Sequence, residues 1–100
     1  MLYVGDLVVD RSRATVSRHG DEIVLTPIEF RLLVHLAQHP GQVFSRAQLL
    51  EAVWGYSADL SDENTVKVHV RRLREKIEPD PKNPPYLLTV RGFGYRLREA

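Results

Sequence analysis

One hundred residues suffice for one modest core, and 43% hydrophobic with 27% charged residues is the composition of an ordinary globular domain. No apolar run reaches bilayer-spanning length, no signal-peptide pattern occurs and there is no cysteine, which excludes disulfides and cysteine-ligated metals and leads us to expect a cytoplasmic, unsecreted protein. The net charge of +1 hides an asymmetry: residues 1–64 hold five arginines against nine acids and residues 65–98 nine Lys or Arg against three acids, so a polyanion partner is expected for the C-terminal third.

Residues 2–25 read as short strands. Leu2-Tyr3-Val4 stops at Gly5-Asp6, and Leu7 to Asp10 follows; Ala14 to Arg18 then runs into the turn signal His19-Gly20-Asp21 and returns through Glu22 to Leu25. A small antiparallel sheet with one face free to cover helices is the expected product.

Thr26-Pro27-Ile28-Glu29 is a helix start. Thr26 and Glu29 are spaced as a capping box, Pro27 sits where its missing N–H costs nothing, and Leu25 and Phe30 are placed as a staple. The helix should run to about His39, before Pro40-Gly41, with Ile28, Phe30, Leu33, Val34, Leu36 and Ala37 as its apolar arc. The same grammar recurs at Ser45 and Gln48, with Leu49, Leu50 and Val53 buried on a short helix ending at Trp54-Gly55. A loop from Tyr56 to Ser61 leads to a third helix over 62–78, with Asp62 as N-cap and Glu63 complementing the dipole.

On that third helix, Val66, Val70, Leu73 and Ile77 fall on one narrow stripe at about 100° per residue. The opposite face carries Asn64, Val68, Arg71, Arg72 and Glu75, flanked by Lys67 and Arg74 on one side and His69 and Lys76 on the other. A solvated charged face is the bland alternative, but an outward Val68 among arginines does not suit it. A small apolar group there suits a thymine methyl, beside an Arg reaching guanine O6 and N7. The proline-rich run Glu78 to Pro85 ends the helix, and Tyr86 to Val90 and Tyr95 to Leu97, joined by Arg91-Gly92-Phe93-Gly94, read as a β-hairpin with an Arg at its tip. A short helix, a loop, a basic helix and an Arg-tipped ribbon form a helix-turn-helix with a β wing. The helix suits a major groove and the Arg a minor groove.

No enzyme is expected. His35 and His39 have the spacing of a zinc pair, but Leu36 stands where a zincin carries its general-base Glu, and no third ligand is evident. Arg91 to Gly94 is not a phosphate loop, since no helix follows, and Ser45 has no evident His and Asp partners. No cofactor is implied.

Thr26-Pro27-x-Glu29-Phe30-x-Leu32-Leu33, Ser45-Arg46-x-x-Leu49, Val53-Trp54-Gly55, the run Thr65 to Ile77 and Thr89-Val90-Arg91-Gly92-x-Gly94-Tyr95-Arg96 together resemble the C-terminal effector domain of OmpR/PhoB-type two-component response regulators. The resemblance spans essentially the whole chain. It implies an α+β winged helix over residues 1–100, with a four-stranded N-terminal sheet (1–25), a three-helix core (26–78) and a wing hairpin (86–98). It further implies sequence-specific binding of double-stranded DNA for bacterial transcriptional control, and a preceding receiver domain switched by phosphorylation, so Met1 is expected to begin a fragment.

Val68 and Arg72 match base-facing positions in the major groove, and Asn64, where some relatives place an Arg, joins them as a candidate base contact. His69, Arg71, Arg74, Trp54 and Thr89 match positions near phosphates, and Thr65 and Lys67 are added to that set. Arg91 matches the minor-groove Arg of the wing. Family behaviour implies direct-repeat sites bound head to tail, and contact between RNA polymerase and loop 55–61. The competing classes are a protein-interaction module using the arginine face and an RNA binder, the latter disfavoured because Phe93 is the one aromatic at the hairpin tip.

Overall fold

The computed structural model describes residues 1–55, 63–78, 80 and 86–99. Asp62, the Tyr56–Ser61 loop and most of the proline-rich run lie outside the described residues.

Four short strands, β1 (Leu2–Val4), β2 (Leu7–Asp10), β3 (Thr15–Arg18) and β4 (Asp21–Ile23), pair antiparallel in the order β1-β2-β3-β4. Val4, Leu7, Val9 and Val16 are buried, the one-sided pattern of a sheet laid over helices. The His19-Gly20 loop takes positive φ at both residues, 53° and 83°, the conformation that matches hairpin twist. β3 begins at Thr15 rather than Ala14, which lies in the left-handed region at φ 54°. β4 stops at Ile23, leaving Val24 exposed, so the last strand is shorter than the apolar run suggests.

Helix α1 (Pro27–Ala37) starts as its sequence requires: Thr26 Oγ1 accepts from Glu29 N at 3.2 Å and Glu29 Oε1 accepts from Thr26 N at 2.9 Å. It ends two residues short of His39. Its fully buried side is Leu32, Leu33, Leu36, Ala37 and Glu29, whereas Ile28, Phe30 and Val34 are half-buried at the margin. Apolar spacing alone did not separate the centre of the arc from its edge.

Helix α2 (Arg46–Leu49) carries the second reciprocal cap, Ser45 with Gln48. It then widens into a π-helical turn, Leu50–Trp54, which closes at Gly55 with φ 58°. The regular helix expected there is therefore corrected to an α-to-π segment with the same end. Helix α3 (Glu63–Ile77) buries Val66, Val70, Leu73 and Ile77, the four residues of the apolar stripe.

The wing pairs β5 (Leu87–Val90) with β6 (Gly94–Leu97). Its outer side is joined to the body by Phe44 and Tyr95, which exchange both backbone hydrogen bonds at 2.8 and 2.9 Å. Gly94 permits this approach: a Cβ there would lie 2.0 Å from the Phe44 carbonyl oxygen. Among the described residues no helix is long and apolar enough to cross a membrane.

Candidate nucleic-acid interface

Burying Val66, Val70, Leu73 and Ile77 forces the other side of α3 outward. Asn64, Lys67, Arg71, Arg72 and Glu75 are exposed as the helical wheel demands, while Val68, Thr65, His69 and Arg74 are half-buried. Val68 is thus less outward than the wheel suggests, with its flank covered. Glu75 sits 3.7 Å from Arg71 Nε, one helical turn away, which accounts for an acid on a basic face. Lys76 turns to α1, where its ammonium lies 2.6 Å from buried Glu29 Oε1.

Between α3 and the wing runs a groove of about 440 Å³. Glu63 and Lys67 of α3, Ser45 and Arg46 at the start of α2, and the wing from Thr89 to Tyr95 line it. Lys67 of α3 and wing Arg91 therefore border one groove. Arg71, one turn beyond Lys67, continues the same row along the helix. Arg91 is exposed at the first position of the three-residue turn, and Phe93 at the third is 73% exposed. Gly92 between them takes φ 85°.

Arg74 and Thr89 come together. Arg74 Nε donates to Leu87 O at 3.1 Å, Nη2 donates to Thr89 Oγ1 at 2.6 Å, and the guanidinium carbon lies 5.6 Å from the Tyr95 ring centroid. Burial lowers the Arg74 pKa, with Tyr95 and Glu78 acting in the opposite direction; an arginine stays charged regardless. Because Thr89 Oγ1 accepts from Arg74, its own hydroxyl proton remains to be donated outward.

Trp54 and His69 also meet, their rings edge to face at 5.1 Å. His69 Nδ1 lies 2.8 Å from Thr65 O, so Nδ1 carries the proton and donates.

Two acids were not singled out by sequence reasoning. Glu29 was read only as a cap, and Glu78 only as the end of a helix. Glu78 is buried, and its carboxylate accepts from Leu87 N at 2.8 Å and Tyr86 N at 3.3 Å. Burial raises its pKa, against the two backbone donors and the charges of Arg74 and Arg18. A charged residue flanking a predicted helix end was the available signal, and it does not specify a partner. His35 and His39 pack their rings on Phe44, with centroids at 4.8 and 5.7 Å, and burial lowers the His35 pKa.

Residues 20–97 match the family model described as "Transcriptional regulatory protein, C terminal". The chain is 54% identical over 96 residues to the DNA-binding response regulator MtrA of Mycolicibacterium smegmatis, covering 96% of this chain and 42% of that protein. It thus spans under half the length of that relative. The response regulator DrrB of Thermotoga maritima, an OmpR/PhoB homologue, superposes with a TM-score of 0.88 at 37% identity, covering 98% of this chain and 44% of that one. The RstA DNA-binding domain of Klebsiella pneumoniae, solved in complex with the RstA box, gives a TM-score of 0.86 at 32% identity, covering 97% and 95% of the two chains.

Proposed function

The chain belongs to the family of transcriptional regulatory C-terminal domains, of OmpR/PhoB type, and from that premise we propose that it binds specific double-stranded DNA as the output domain of a two-component response regulator. The observation that carries this reading is the groove between α3 and the wing, bordered by Lys67 on one wall and Arg91 on the other. A phosphodiester backbone lying in it puts α3 in the major groove and Arg91 in the adjacent minor groove.

In that pose Arg72 and Val68, with Asn64 at the helix start, face base edges. The exposed guanidinium reads guanine and the half-covered valine offers a methyl-sized contact. Lys67, Arg71, Arg74, His69, Trp54, Thr65 and Thr89 serve the sugar-phosphate backbone, which takes half or more of the hydrogen bonds in such interfaces. Thr89 donates the hydroxyl proton that Arg74 leaves to it. A receiver domain N-terminal to this one, tandem head-to-tail occupancy of direct repeats, and contact between loop 55–61 and RNA polymerase complete the proposal.

The test is affinity for a selected duplex against salt. With four or five cationic contacts, log K should fall with log salt at a slope of about −4. A flat titration, or equal affinity for selected and random duplexes, overturns the reading.

A further inference from the structure

The two edges of the wing are held by different devices. β6 is paired to Phe44 by backbone bonds, as a third strand would be. The free edge of β5 has no strand beside it among the described residues. Two charged side chains from the end of α3, one helical turn apart, take its polar groups instead. Glu78 accepts the N–H groups of Tyr86 and Leu87, and Arg74 donates to the Leu87 carbonyl and the Thr89 hydroxyl. Both backbone groups of Leu87 are thereby bound to α3, while Tyr86 O accepts from Arg98 N across the hairpin. Leu87 and Glu78 are buried, so breaking the bonds between them leaves polar groups shielded from solvent.

The Phe44–Tyr95 bonds fix β6, but packing of apolar side chains alone would leave the β5 edge free to tilt about them. Bonds to successive backbone groups fix it along its own axis, and a buried carboxylate holding two N–H groups is costly to leave unmade. The lever matters because Arg91 stands four residues beyond Leu87, about 13 Å along an extended strand. A tilt of about 10° at the anchor moves the tip by roughly 2 Å, more than a hydrogen bond tolerates.

We propose that Glu78 is a positioning residue for DNA recognition: together with Arg74 it sets the offset between the wing and α3, so that Arg91 reaches its groove only when α3 occupies the neighbouring one. Glu78 touches no nucleic acid in this scheme and acts through the wing. The inference rests on the DNA-binding reading above and adds to it a residue outside every candidate contact set.

The test uses a duplex selected from random sequence with the wild-type chain, and the variants Glu78→Ala, Glu78→Gln, Arg91→Ala, Arg72→Ala and their doubles. Folding is confirmed for each by near-ultraviolet circular dichroism of Trp54. Glu78→Ala should lose about tenfold in affinity. Combined with Arg91→Ala it should lose less than a further twofold, because the tip is already misplaced, whereas combined with Arg72→Ala the losses should multiply. Glu78→Gln keeps one acceptor oxygen, should fall between, and is the variant read if Glu78→Ala does not fold. A merely destabilising role would multiply equally with both partners; that result, or wild-type affinity in a folded variant, overturns the proposal. Residual dipolar couplings of the β5–β6 amides against those of α3 give a second readout that needs no DNA. A reoriented wing in the Glu78 variants supports the proposal and an unmoved wing overturns it. If Arg72→Ala and Arg91→Ala both leave duplex binding unchanged, the DNA reading has failed, and the dipolar couplings alone decide the role of Glu78.

Discussion

Replacing Glu29 removes two interactions from one buried oxygen. Oε1 accepts from Thr26 N at 2.9 Å, the bond that closes the α1 capping box, and from Lys76 Nζ at 2.6 Å. Loss of a cap costs about 1 kcal/mol. A fully buried ion pair broken on one side costs about 3–5 kcal/mol, and an exposed pair about 0–1. The Lys76 side chain is 37% exposed and can rehydrate, which places this pair between the two, at about 1–2 kcal/mol. Glu29→Ala should therefore destabilise by about 2–3 kcal/mol and lower Tm by roughly 10–20 °C. Glu29→Gln, which keeps an acceptor and loses the charge, should cost about 1 kcal/mol. The pH dependence carries a sign. Burial pushes the Glu29 carboxyl up, but the Lys76 ammonium and the Thr26 donors override it and hold the pKa below its ordinary value. The charge then contributes stability above the ordinary carboxylate range and loses it as pH falls through the lowered value. Thermal melts of wild type and Glu29→Gln from neutral to acid pH should show a full gap at neutrality that closes on acidification. A gap that widens in acid, or a Glu29→Ala cost under about 0.5 kcal/mol, which is the scale of an ordinary surface change, refutes the reasoning.

Three further outcomes are expected. Arg72→Ala should cost about 1–3 kcal/mol on the selected duplex and flatten base preference, while Arg71→Ala should weaken all duplexes alike and reduce the salt slope by about 1; parallel titrations on selected and random DNA separate them. Gly94→Ala drives a methyl to 2.0 Å from the Phe44 oxygen at a φ of 146° and should destabilise by about 3 kcal/mol or more in urea melts. Gly20→Ala, at φ 83° with nothing within 4 Å, should cost only about 1–2 kcal/mol. Arg74→Lys retains charge but replaces a planar fork by a point donor, so it cannot hold Leu87 O and Thr89 Oγ1 together. A loss of about 1–2 kcal/mol is expected, with faster amide exchange in β5.

The sequence by itself determined the elements whose causes lie within four residues. Thr26 with Glu29 and Ser45 with Gln48 mark helix starts because the cap bonds span three positions, and both form. Val66, Val70, Leu73 and Ile77 mark the buried side of α3 because helical periodicity alone sets it, and with that side fixed Arg71 and Arg72 are exposed. Glycines between apolar runs marked the wing turn.

Tertiary structure decided what no local window contains. Lys76 reaches Glu29 across 47 residues, and Arg74 reaches Thr89 across 15. Neither side chain shows in sequence whether it is a surface charge or a brace. The widening of α2 into a π turn, the edge-on contact of Trp54 with His69, and the burial of Leu32 ahead of Ile28 and Phe30 depend on which neighbours close over each position. Glu78 is the sharpest case: a residue that ends a helix in sequence becomes, once β5 lies beside it, the group that holds two buried backbone donors. Hydrogen-bond and packing energies act over a few ångströms in space, so they become readable from sequence only where spatial neighbours are also chain neighbours.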